Sequence, residues 1–140
     1  MIYLDTSVLV AYYCPEPLSE AAEKLILRAE QPSLSLLTEV ELASALARKI
    51  REKEISQEDG NRVLTEFQSH LTQFLFRRIP IEREHYNFAF NWLAQFTTPL
   101  RTLDALHLAV AAGNNLEVIT ADQELSRSAR KLGVRSRLLR

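Results

Sequence analysis

Residues 2–7, Ile2-Tyr3-Leu4-Asp5-Thr6-Ser7, pass from apolar side chains straight into short polar ones. So short an apolar run, ended by residues that favour helix starts, reads as a buried strand feeding a helix. The change recurs downstream: Glu117-Val118-Ile119-Thr120 reads as a strand, and Asp122 to Leu132 as a helix stopped by Gly133. Between them, Ala21, Ala22, Leu25, Ile26 and Ala29 share a helical face ahead of Pro32, and Ser33 to Leu36 forms a second strand. Thr38 opens a helix carrying Leu42, Ala45, Leu46 and Ile50. Ser56 caps another, with Val63, Leu64, Phe67, Leu71, Phe74 and Leu75 as its stripe. Arg77 to Ile81 is a third strand marked by Pro80. Tyr86, Phe90, Leu93 and Phe96 repeat at helical spacing, and Thr102 to Ala112 is apolar on nearly every side, as a deeply buried helix would be. Gly113-Asn114-Asn115 supplies a left-handed C-cap, and Val134 to Leu138 is a fifth strand. Strands alternating with helices predict an α/β fold whose parallel sheet is covered on both faces.

The remaining composition narrows the class. With 140 residues, 46% apolar and 25% charged, the chain is expected to form one domain over residues 1–140 without staples. Disorder, collagen-like repeats and a disulfide scaffold are excluded. A lone Cys14 fits a reducing compartment. The longest stretch free of Asp, Glu, Lys and Arg, His85 to Leu100, carries Asn87, Asn91, Gln95, Thr97 and Thr98, so no membrane span is expected. The N-terminus has no basic leader, and a soluble cytoplasmic protein is the expectation. A net charge of −1 hides two basic clusters. Gln123 to Arg140 holds six bases against Glu124, and Arg48, Lys49, Arg51 and Lys53 surround Glu52. Each is either a solvated helix face or a polyanion contact.

Glutamates number fourteen but aspartates only four, and Asp5, Asp104 and Asp122 all stand where a strand ends or a helix begins. Singly, each has a capping explanation. Thr38-Glu39-Val40-Glu41 fits a capping box, and so does Thr120-Ala121-Asp122-Gln123. Asp104 resists that reading, because its helix is otherwise apolar and an unpaired buried charge is costly. If the strands ending at Asp5 and Asp122 are neighbours, the three aspartates converge. Two carboxylates about 4 Å apart repel by roughly 4 kcal/mol at an effective dielectric of 20, so such a cluster takes up protons or holds a cation. Oxygen ligands without paired Cys or His select Mg²⁺ or Mn²⁺ over Zn²⁺. His107, one turn past Asp104, reads as a packing or supporting group.

These stretches resemble a PIN-domain ribonuclease, specifically the VapC-type toxin of bacterial toxin–antitoxin pairs. The resemblance rests on residues 2–9, 37–46, 100–111 and 118–125, four motifs in order along nearly the whole chain. It implies a three-layer α/β/α fold with about five parallel strands, and an acidic pocket holding Mg²⁺ or Mn²⁺ for endonucleolytic RNA cleavage. Asp5, Glu41, Asp104 and Asp122 match the family's acidic quartet, with Asp5, Asp104 and Asp122 as the metal ligands. Glu39 is a rival for the second place, but Glu41 is preferred because Leu42 and then Ala45-Leu46 follow it. Thr6 or Ser7, and Thr120, match hydroxyl positions that place a metal-bound water. Arg101 and bases of the two clusters are candidates to hold the RNA backbone, a carboxylate salt bridge being the other reading of Arg101. The implied products are a 5′-phosphate and a 3′-hydroxyl. The implied partners are RNA, a cognate antitoxin and a second copy of the chain. The helices bearing Leu42–Ile50 and Val63–Leu75 offer apolar surface for either protein partner.

Other strand-end carboxylate chemistries fit less well. A phosphate-accepting signalling domain needs an adjacent acidic pair and a lysine near the last strand, but Asp5 is followed by Thr6 and Ser7. An aspartyl-nucleophile phosphatase needs an aspartate where Ser7 stands. A non-catalytic RNA-binding or partner-binding module on the same fold stays open.

Overall fold

In β1 (Ile2–Leu4), successive side chains point to opposite faces, so Tyr3 and Leu4 enter different cores. Leu4 packs with Leu34, Ile119 and the apolar faces of α1 (Thr6–Tyr13), α2 (Ser19–Arg28), α3 (Leu36–Arg51) and α4 (Gln57–Thr72). Tyr3 lies on the other side with Val118, Ile79 and residues of α6 (Thr102–Gly113) and α7 (Gln123–Lys131). The computed structural model describes residues 1–140. Its remaining elements are β2 (Ser33–Ser35), β3 (Arg77–Ile79), α5 (Arg83–Leu93), β4 (Glu117–Thr120) and β5 (Ser136–Leu138).

All five strands are parallel, in the order β3-β2-β1-β4-β5. The chain steps from β1 through β2 to β3 with α1 to α4 on one face. It then crosses back to β4 and β5 with α5 to α7 on the other. Right-handed crossovers require that exchange of faces when the direction of strand addition reverses. The result is the expected three-layer α/β/α fold, with its switch point between β1 and β4, where open sheets of this kind form their clefts.

Several local expectations are corrected. The second strand stops at Ser35. Helix α3 starts at Leu36, two residues before Thr38, and its capping box joins Ser35 and Thr38. Thr38 is therefore buried at the third helical position, and Glu41 is free of any capping duty. Asp122, not Thr120, caps α7, accepting hydrogen bonds from the Glu124 and Leu125 amides. Phe74 and Phe96 fall outside their helices, with φ of 58° and 55° and side chains in solvent. On α5 the buried residues are His85 and Ala89, while Tyr86 and Phe90 face outward. The stripes of α3 and α4 turn inward: Leu42, Leu46, Phe67 and Leu71 are core residues. Burial of each contributes about 1.5–3 kcal/mol. They are unavailable to a partner. No helix is long and apolar enough to cross a membrane.

Candidate functional site

The register of β1 on β4 builds the site. Leu4 pairs with Ile119, so Asp5 arrives beside Thr120, and the Asp5 amide donates to the Ile119 carbonyl at 3.2 Å. Thr120 Oγ1 donates to Asp5 Oδ2 at 2.6 Å. Ser7 Oγ donates to Asp5 Oδ1 at 2.5 Å and accepts from the Ala121 amide at 2.9 Å. Asp5 also caps α1, its Oδ1 lying 3.4 Å from the Val8 amide. The carboxylate is thus fixed by groups from both central strands. Burial pushes its pKa up, and the Ser7 and Thr120 hydroxyls pull the other way without cancelling the rise.

A cavity of about 670 Å³ opens there, lined by Asp5, Glu41, Asp104 and Asp122 together with Thr6, Ser7 and His107. Glu41 reaches it from α3. Thr6 Oγ1 donates to Glu41 Oε1 at 2.7 Å, and His107 Nε2 bonds the same oxygen. Burial drives the Glu41 carboxyl upward, but these two bonds outweigh it and leave the group below the usual range. Asp104 stands in the first turn of α6. Burial raises its pKa, the Arg101 amide opposes the rise, and the charges of Asp122 and Glu41 add to it.

All four acids expected at the site share this hollow, yet no three acidic or imidazole groups stand together as a ready-made metal-binding set. The reason is local. Asp5 is engaged on both oxygens, Glu41 is turned toward Thr6 and His107, and Asp122 Oδ1 is turned to its own helix. The donor chemistry nevertheless fits a hard divalent cation. Asp5 Oδ2 retains a second lone pair, the other Asp122 oxygen is uncommitted, and no side chain bonds Asp104.

Glu39 is excluded from the cavity: Arg78 of β3 grips it at 2.8 and 2.9 Å. Arg101 is exposed, forms no salt bridge and borders an adjoining hollow that also touches Asp104 and Asp122. Arg48 and Arg51 line the acidic cavity itself, without an acidic partner. Their neighbour Lys49 is neutralised by Glu16 at 3.0 Å and Glu54 at 3.2 Å. The spacing carried a signal that the basic count did not. Glu41, Ser44, Arg48 and Arg51 recur every three or four residues, so one face of α3 presents them together. The partners of His107 could not be read from sequence, because they lie on β1 and α3.

The family profile described as PIN domain matches residues 2–131. No curated protein matches the sequence. Several solved structures share the fold. FitAcB from Neisseria gonorrhoeae is 23% identical, with a TM-score of 0.72, over 97% of this chain and 96% of that one. VapC20 from Mycobacterium tuberculosis, described as a sarcin-ricin loop cleaving toxin, is 16% identical, with a TM-score of 0.71, over 91% and 95%. VapBC2 from Rickettsia felis, bound to a DNA fragment from its promoter, is 18% identical, with a TM-score of 0.72, over the full length of both chains.

Proposed function

The chain belongs to the PIN domain family, and from that premise we propose that it is a divalent-cation-dependent endoribonuclease acting as the toxin of a toxin–antitoxin pair. The observation that carries this reading is the gathering of Asp5, Glu41, Asp104 and Asp122, drawn from four separate parts of the chain, in one cavity at the switch point of the sheet. Asp5, Asp104 and Asp122 would hold Mg²⁺ or Mn²⁺. Such an ion supplies Lewis acidity toward a phosphodiester and lowers the pKa of water. Ser7 and Thr120 hold Asp5 rigid, so little reorganisation is needed when substrate arrives. Glu41, anchored through one oxygen, is placed to orient the attacking water with the other. Arg48 and Arg51 give a negatively charged hollow a positive rim, which lets an RNA backbone approach it. Hydrolysis leaves a 5′-phosphate and a 3′-hydroxyl.

The toxin role is supported by the shared fold of VapC20, VapBC2 and FitAcB. A cognate antitoxin and a second copy of the chain are the proposed protein partners. The outward aromatics Tyr86, Phe90 and Phe96 are apolar surface in need of a cover. The decisive experiment incubates purified protein with RNA and Mn²⁺. Cleavage is expected, with ends sensitive to a 5′-phosphate-dependent exonuclease, and Asp5→Asn should abolish it. RNA binding without cleavage would favour the non-catalytic module instead.

A further inference from the structure

We propose that His107 and Tyr3 are positioning residues for this site: the imidazole, held in place by the Tyr3 hydroxyl, fixes one oxygen of Glu41 and leaves the other uncommitted. This rests on the proposed function.

Tyr3 is wholly buried in β1, yet its hydroxyl has three polar neighbours. His107 Nδ1 lies at 2.6 Å, Ser35 Oγ at 2.9 Å and Thr38 Oγ1 at 3.3 Å. A phenol has one proton to give and can accept from two donors. The shortest of these contacts is the one to Nδ1. Nε2 in turn faces Glu41, a carboxylate that can only accept. Every donor then has an acceptor, and the series runs from the cap of α3 through the core to the acidic cavity.

Packing alone does not explain this arrangement. A phenylalanine at position 3 and a leucine at 107 would fill the same core with two fewer polar side chains to satisfy. The series also ends on a particular atom, Glu41 Oε1, which accepts from Thr6 as well. Two donors on one oxygen fix the carboxylate plane. The other oxygen, without a protein partner, is the one able to meet a water molecule. Removing His107 leaves Glu41 hinged on Thr6 alone.

Three measurements test this. Ring-nitrogen NMR of the metal-free protein should find a proton on His107 Nε2 that exchanges slowly with solvent, and Tyr3→Phe should speed that exchange. In RNA cleavage at saturating Mn²⁺, His107→Ala should lose about 10–100-fold, as removal of a ligand-orienting group does elsewhere. His107→Gln, which restores an N–H near the Nε2 position, should recover most of the rate. In a Glu41→Gln background, His107→Ala should change the rate by no more than about twofold, the scatter of independent sites. An Nε2 that carries no proton, an unchanged His107→Ala rate, or equal losses in both backgrounds would overturn the proposal. Should the unaltered protein cut no RNA with any divalent cation, the proposed function fails, and the ring-nitrogen signal still decides whether the Tyr3–His107–Glu41 relay exists.

Discussion

Thr120 Oγ1 and Asp5 Oδ2 are joined by a 2.6 Å hydrogen bond across 115 residues of chain, stitching the ends of β1 and β4 at the site where the acids gather. The bond holds a buried carboxylate that would otherwise lose its water on that side. Thr120→Val removes the donor and keeps the shape. It should destabilise the fold by about 1–3 kcal/mol in urea titrations near pH 7, whereas Thr120→Ser should stay close to the original. Equal stability of all three proteins would mean that the hydroxyl does not support Asp5.

The acidic cavity should make metal-free stability depend on pH in a specific direction. Burial raises Asp104, with Asp122 and Glu41 adding to the effect, and burial raises Asp5. A carboxyl that binds its proton more tightly when folded contributes stability at low pH that is lost as pH rises from its unfolded value toward its folded one. Glu41 runs the other way: its folded pKa is lowered, so its contribution is present above its unfolded value and fades as pH falls through the folded one. Asp104→Asn isolates one group. It should stabilise metal-free protein more at about pH 7 than at about pH 3, below the ordinary aspartate value of about 3.9. A stabilisation that is the same at both pH values, or larger at the lower, would count against repulsion in the cavity.

The same substitution should have the opposite consequence once cation is present. A ligand that binds only the folded state at a hundred times its Kd adds about 2.7 kcal/mol. For a chain of this length that is a rise in Tm of about 5–10 °C. Millimolar Mn²⁺ or Mg²⁺ should produce such a rise, and Asp104→Asn should blunt it while raising the starting Tm. Thermal unfolding indifferent to divalent cations would remove the metal from the proposed chemistry.

Legibility from sequence followed the strength of the local signal. Short apolar runs ending in Asp or Thr placed β1 and β4, and the scarcity of aspartate singled out three of the five acids that line the cavity, Glu16 being one that it did not. The choice between Glu39 and Glu41 had a physical basis invisible in the pattern, since Arg78 on β3 occupies Glu39. Helix α5 misled because hydrophobicity weights Tyr86 and Phe90 heavily and Ala89 hardly at all. Close packing of α5 on α6 selects small residues: Ala89 meets Ala105 and Ala109, and a side chain carbon at Gly113 would lie 2.8 Å from the His85 ring. The start of α3 was misplaced because Ser35 and Thr38 are both good caps, and only the pairing of β2 decides between them.

Arg48 and Arg51 share the acidic cavity, whereas Lys49 between them is tied to Glu16 and Glu54. Three adjacent bases therefore make contrasting predictions. A cation that meets a phosphate releases a condensed counterion, and each such contact contributes about 0.7 to the salt slope for a single strand. With Asp5→Asn protein in EDTA, so that RNA is bound but not cut, Arg48→Gln and Arg51→Gln should each flatten the dependence of log Kd on log salt by about that amount. Lys49→Gln should leave the slope unchanged, because its charge is already compensated within the protein. Identical slopes for all three variants would place the RNA backbone elsewhere, with the exposed Arg101 and the bases of residues 127–140 as the next surface to test.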